Sequence, residues 1–225
     1  MPEFDTSDVD RSWWPKLVVG TVVPRPIAFV STVGRNGVSN IAPFSFFNGA
    51  CYQPPTIMFS VQDRNGELKD TSRNIEENPE FIVHVVNEEL AEQMNVTCGD
   101  YGAHVSEFVE AGLKSVPGTR VKIPRVVNAP VAMECKLVQT VRLGAPGKGT
   151  SVIFGEIIHW HIADAILGPT GRIDPEGLRA IGRLGGMDYC RTRDRFSMDR
   201  PIIADEDPRS VASWKRMKAA GVSPK

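Results

Sequence analysis

The chain has 225 residues, 41% hydrophobic and 24% charged, a globular composition that excludes a disordered protein. Lys and Arg total 26 against 27 Asp and Glu, so no net positive field gathers nucleic acid or anionic lipid. The longest apolar runs, such as residues 81–86, are of strand length, against the roughly 20 residues a bilayer crossing needs.

The first ten residues are acidic and carry neither the basic nor the apolar segment of a secretory signal, so a cytoplasmic protein is expected. Cys51, Cys98, Cys135 and Cys190 lie far apart with no C-x-x-C pair. Four reduced thiols are therefore expected, and no zinc or dithiol centre. Cys51 in particular reads as a buried, inert thiol. A single domain over 1–225 is the simplest partition. Its core spans about 22–190, and 191–225 form an arm or tail in which 211–220 suit a short helix.

Residues 27–33 form a β-branched and aromatic run closed by Gly34-Arg35-Asn36-Gly37, where Asn36-Gly37 suits the positive φ angles of a tight hairpin. The return strand, 38–42, runs into Pro43, and Phe44, Phe46 and Phe47 follow without a strand or helix period. Pro54-Pro55 resets the chain before a strand over 56–61 and a turn over 63–66. Residues 69–78 predict a two-turn helix, with Asp70, Thr71 or Ser72 as cap and Pro79 as stop. A strand over 80–86 follows. Residues 88–111 shift to helical spacing, with Leu90, Met94, Phe108 and Val109 as core candidates and a break over 98–102. Two long β segments, 131–142 and 151–162, flank a Gly-rich turn at 144–149 and predict a long antiparallel hairpin. The turn lacks P-loop spacing, because Lys148 is followed by Gly149. Strands dominate, with helices only at the periphery, which points to a β-rich barrel.

Four segments carry most of the chemistry. They are Pro24-Arg25-Pro26-Ile27-Ala28-Phe29-Val30-Ser31-Thr32-Val33; Ser39-Asn40-Ile41-Ala42-Pro43-Phe44-Ser45-Phe46-Phe47-Asn48-Gly49; Lys69-Asp70-Thr71-Ser72-Arg73-Asn74-Ile75; and Arg183-Leu184-Gly185-Gly186-Met187-Asp188-Tyr189. Lys69 beside a helix start offers a cation, the hydroxyls of Thr71 and Ser72, and free backbone N–H groups, a combination suited to a phosphate. The same motif also reads as a solvated lysine before an ordinary cap. Asp70 suits a cap or a partner for Lys69 or Arg73. The 40–48 segment pairs backbone groups with aromatics, as a flat heteroaromatic ring requires, or else its phenylalanines plug the barrel end. His159 and His161 share a strand face, but no third metal ligand is evident in the sequence, and His84 reads as a hydrogen-bonded strand residue.

In order and spacing these segments resemble the flavin reductase-like FMN-binding proteins, flavoredoxin-type members included, over about residues 22–189. Glu107-Phe108 with Ala111-Gly112-Leu113, and Glu134-Cys135 after Ala129-Pro130, also resemble family positions. The resemblance implies an antiparallel Greek-key split β-barrel that binds FMN. The implied cofactor contacts are Arg25, Ser31, Thr32, Asn40, Ala42, Pro43, Phe44, Ser45, Phe46, Phe47, Lys69, Asp70, Thr71, Asn74, Arg183 and Tyr189. It further implies a homodimer with FMN near the interface and Arg183 and Tyr189 close to the cofactor. NADH or NADPH is the implied donor, with an oxygenase or electron-transfer protein as acceptor. No G-x-G-x-x-G follows a strand, so a nicotinamide nucleotide would stack directly on the flavin. No general acid, base or nucleophile is assigned, since the flavin carries the redox chemistry. Three readings stay open: an NAD(P)H-dependent flavin reductase, an FMN electron carrier, and a non-redox ligand-binding barrel.

Overall fold

The structure is a computed structural model that describes residues 1–145, 147–198, 215 and 219. Met1–Arg193 form one compact unit, and Asp194–Lys225 form a second. Apart from positions 215 and 219, the helix expected over 211–220 lies outside the described residues.

The elements run α1 (Trp13–Thr21), β1 (Ala28–Val33), β2 (Ser39–Phe44), β3 (Phe47–Tyr52), β4 (Pro55–Gln62), α2 (Asp70–Glu77), β5 (Glu80–Val85), α3 (Ala91–Val96) and α4 (Glu107–Glu110). After them come β6 (Ser115–Pro117), β7 (Pro124–Val126), β8 (Val131–Leu143), β9 (Thr150–Ile162), α5 (Pro175–Leu178), β10 (Ile181–Arg183) and β11 (Tyr189–Arg191). Seven strands build one antiparallel sheet in the order β2-β1-β5-β8-β9-β4-β3. After the β3–β4 hairpin the chain returns through α2 to place β5 beside β1, a Greek-key type of connection. Among the described residues no helix is long and apolar enough to cross a membrane.

β2 and β3 are consecutive in the chain yet lie on opposite edges of this sheet, joined only by Ser45 and Phe46. So short a link requires the sheet to curl until its edges approach, and Phe44 of β2 packs on Phe59 of β4 across the seam. The sheet does not close there, which makes it a split barrel. The missing N–H of Pro43 does not end β2, because an edge strand leaves that side unpaired. Three rings fill the barrel centre: Phe44 and Phe81 each lie 5.6 Å from Phe59. Phe81 also occupies the space a side chain would need at position 155, so Gly155 belongs to the packing.

Several local expectations are corrected. Only Gly37 takes positive φ in the first turn; Asn36 instead accepts the Val38 N–H through its side chain. Val109 is exposed while its neighbour Phe108 is buried, since adjacent helical residues cannot both face one core. Cys51 is exposed, because β3 is a solvent-facing edge strand. Lys69, not Asp70, Thr71 or Ser72, caps α2, and it does so without a side-chain hydrogen bond.

Candidate active site

α2 and α4 both pack on the β1–β2 end of the sheet. Between them and the loop after α3 lies a cleft of about 680 Å³. Seven of the sequence-selected residues line it: Asn40, Ala42, Pro43, Phe44, Lys69, Asp70 and Thr71. Lys69 is half-buried, and among the described residues its ammonium forms no hydrogen bond or ion pair; burial, and then Arg64 nearby, hold that ammonium below the usual range. Asp70 does not neutralise it, because its carboxylate takes Arg73 at 2.5 Å. The first turn of α2 therefore carries uncapped N–H groups beside a free cation. In that turn Ser72 Oγ is buried without a partner.

Beneath the cleft floor is a buried polar network. Asn74 donates to Thr32 Oγ1 at 3.0 Å, and the Asn40 amide lies 3.1 Å from Thr71 Oγ1. Glu107 closes the network from α4, accepting the Ile41 N–H at 3.1 Å. Burial, with Asp70 as a lesser cause, pushes its carboxyl above the usual range. Across the mouth Arg64 pairs with Asp100, linking the loop before α2 to the loop after α3.

A hollow of about 210 Å³ adjoins the cleft through Pro43 and Cys98, and Ser45, Arg183 and Tyr189 line it. The Arg183 guanidinium lies 4.4 Å from the centre of the Tyr189 ring. Arg25 sits behind this wall, 5% exposed, and does not reach into the cleft. It donates to the Val19, Val22 and Leu184 carbonyls and to Ser45 Oγ. Phe46 lies beneath its guanidinium, and Phe47 packs on the barrel core.

Ser31 is not brought to the site. Its hydroxyl donates to the Pro124 carbonyl on the opposite face of β1 from Thr32, as strand alternation requires. Sequence reasoning also missed Arg64, Cys98 and Tyr101, which reach the cleft from loops. It noticed Glu107 only as a family position. Nothing in the sequence marks that carboxylate as buried.

Glu134 supplies the third group that the sequence did not reveal beside His159 and His161; their ligand atoms lie within 4.8 Å of one another. Its oxygens are already filled by the N–H groups of Thr119, Arg120 and Val121 and by His161 at 2.6 Å. Burial raises its pKa, but these four donors outweigh it and bring the value to about 2. The arrangement anchors the loop before β7. His84, as expected, is a hydrogen-bonded strand residue, set between the Phe29 carbonyl and the Val126 N–H.

Residues 19–175 match the flavin reductase like domain. The chain belongs to that family. A protein of Aquifex aeolicus is 43% identical over 190 residues, covering 84% of this chain and 95% of its own. Nitrilotriacetate monooxygenase component B from Bacillus cereus has a similar structure, with a TM-score of 0.85 at 35% identity over 88% of this chain and 98% of that one. The Pseudomonas fluorescens 2-nitrobenzoate 2-nitroreductase follows at 0.82 and 32%, over 91% and 99%. In this flavin reductase-like chain, the family match takes in three of the four ordered sequence segments, and the Arg183–Tyr189 segment falls beyond it.

Proposed function

We propose that the chain is an FMN-dependent oxidoreductase of the NAD(P)H:flavin reductase type. One observation carries the reading: Lys69, whose ammonium has no partner among the described residues, stands at the first turn of α2, which no side chain caps, inside a cleft of about 680 Å³. A phosphate monoester satisfies that cation and those N–H groups together. Lys69, Thr71 and the α2 backbone would hold the phosphate, and the β2 segment Asn40, Ala42, Pro43 and Phe44 would flank the flavin. When bound, FMN supplies the redox chemistry, taking a hydride from NADH or NADPH and passing electrons on.

The chain's own residues bind and orient. Asn74, Thr32 and Asn40 hold the floor rigid, and Arg25 fixes Ser45 against the Arg183 segment. A homodimer with the cleft near its interface is part of the proposal. It is supported by exposed apolar residues Trp13, Trp14, Leu17 and Val18 on α1 and by the free edge of β3, where Tyr52 is 97% exposed. The likeness to a monooxygenase component favours an oxygenase as electron acceptor, working in the cytoplasm, where the four unpaired thiols stay reduced.

The test is the visible spectrum of the purified protein with and without FMN, followed by anaerobic NADH or NADPH. A bound flavin band bleached by either nucleotide is expected. No flavin uptake overturns the reading, and a bound flavin that neither nucleotide reduces makes the chain an electron carrier instead.

A further inference from the structure

The hollow of about 210 Å³ that opens off the cleft has no task in the reading above. Its wall carries Arg183, whose guanidinium is fixed from two directions. The group lies 4.4 Å from the centre of the Tyr189 ring, and its Nη2 donates to the Gly186 carbonyl. Most of its N–H donors stay unused, and among the described residues no carboxylate pairs with it.

Positive charge gathers at this wall without an answering carboxylate. Arg25 faces Arg183 across an antiparallel backbone bridge and is 5% exposed. Its guanidinium donates to the Val19, Val22 and Leu184 carbonyls and to Ser45 Oγ, all of them uncharged. Burial, and then the charge of Arg183, hold Arg25 below its usual range. Burial also raises the Cys98 thiol, so that wall residue adds no negative charge. No Asp or Glu lines the hollow. A part-buried charge with no counter-ion is unfavourable, and an arriving anion relieves it.

The walls restrict the kind of anion. Ile27, Pro43, Met94 and the Tyr189 ring present apolar surface, which suits a hydrocarbon body better than a hydrated inorganic ion. A planar guanidinium matches the two oxygens of a carboxylate. Ser45 adds a second donor, because its oxygen accepts Arg25 Nε at 3.3 Å and its own proton is left uncommitted. The volume falls below the about 300–1,000 Å³ of pockets for drug-sized ligands, which limits the body to a single ring. A larger groove of about 630 Å³ shares Arg183, but Glu88 and Glu92 on its wall repel an anion.

We infer that this hollow is a second ligand site, which binds a small single-ring carboxylate through Arg183 and Ser45. Pro43 and Cys98 belong to both the hollow and the cleft, so the bound ring lies beside the flavin. That placement alone rests on the function proposed above.

Calorimetric titration of the purified protein with benzoate, with and without added FMN, tests the site. Wild type is expected to bind benzoate with a dissociation constant of about 1 mM or tighter, and benzamide, the same ring without the charge, at least about tenfold more weakly. Arg183→Gln should weaken benzoate at least about tenfold and Ser45→Ala about threefold, while Lys69→Ala leaves it unchanged. In the FMN-loaded protein benzoate should also shift the flavin absorbance, saturating with the calorimetric constant. No benzoate binding, benzamide that binds as tightly, or equal losses in Lys69→Ala and Arg183→Gln overturn the inference. So does an Arg183→Gln variant that binds benzoate like wild type, or one that loses FMN and benzoate to the same degree, which would assign Arg183 to the flavin. Calorimetric binding without a spectral shift overturns the placement beside the flavin. If Arg183→Gln does not fold, the wild-type preference for benzoate over benzamide and its reduction in Ser45→Ala decide the matter. Benzoate binding without FMN uptake overturns the proposed function alone, and FMN uptake without benzoate binding overturns this inference alone.

Discussion

The Arg25 guanidinium donates to the Leu184 carbonyl at 2.8 Å, across 159 positions of sequence. The same group takes the Val19 and Val22 carbonyls at the end of α1 and Ser45 at the sheet seam. One planar fork thus joins the N-terminal helix, the β2–β3 crossing and the segment after β10. A lysine ammonium cannot reproduce that fan of donors. Arg25→Lys is expected to lower stability by about 2–4 kcal/mol, since buried carbonyls lose charged donors. A drop in the urea midpoint without a change in m checks it. FMN affinity should fall less than on substitution of Lys69, because the Arg25 donors are committed to protein carbonyls.

Lys69 is the converse case, a half-buried cation with no partner among the described residues. Lys69→Ala is expected to weaken FMN by about 1–3 kcal/mol while leaving riboflavin almost unchanged, because only FMN carries the phosphate. Fluorescence titration with both ligands measures the difference. Equal losses would remove Lys69 from the phosphate site.

Legibility in the sequence follows how local each determinant is. The β8–β9 hairpin could be read from two β-rich runs of 13 residues each in the structure, and α2 from its Pro79 stop. α1 was missed because none of its residues is buried within the described chain, so its apolar positions announce no core. Ser31 and Thr32 looked equivalent as adjacent hydroxyls; the pleat sends them to opposite faces. Cys51 was misread because burial depends on β3 lying at a sheet edge, a fact of topology. Glu107 was invisible as a site residue for the same reason: the packing of α4 on β2, not the residues around it in sequence, buries the carboxylate.

Acid should loosen the barrel in two stages. Burial is the main cause that brings the His84 pKa from 6.5 to about 4. Between those values the unfolded chain binds the proton and the native state does not. The His84 contribution is therefore complete above about pH 6.5 and lost as pH falls toward 4, at most about 3 kcal/mol. The contribution of Glu134, whose native pKa is about 2 against 4.5, is complete above 4.5 and fades as pH falls from there toward 2. Urea midpoints at pH 7.5 and 5 should differ clearly for wild type and much less for His84→Gln, which cannot titrate.

The alternation on β1 gives the sharpest contrast between neighbours. Ser31→Ala removes one hydrogen bond to Pro124 and touches nothing in the cleft. It is expected to lower stability by about 1 kcal/mol and leave FMN affinity unchanged. Thr32→Val has nearly the same volume but deprives Asn74 of its acceptor, leaving a buried amide unpaired beside Asn40. The floor beneath the cleft then relaxes, and FMN affinity should fall by about 1–2 kcal/mol. Titration of both variants with FMN, alongside their urea midpoints, separates loss of the site from loss of the fold. A Ser31→Ala variant that binds FMN more weakly than Thr32→Val would reverse the assignment of faces and place the flavin on the other side of the sheet.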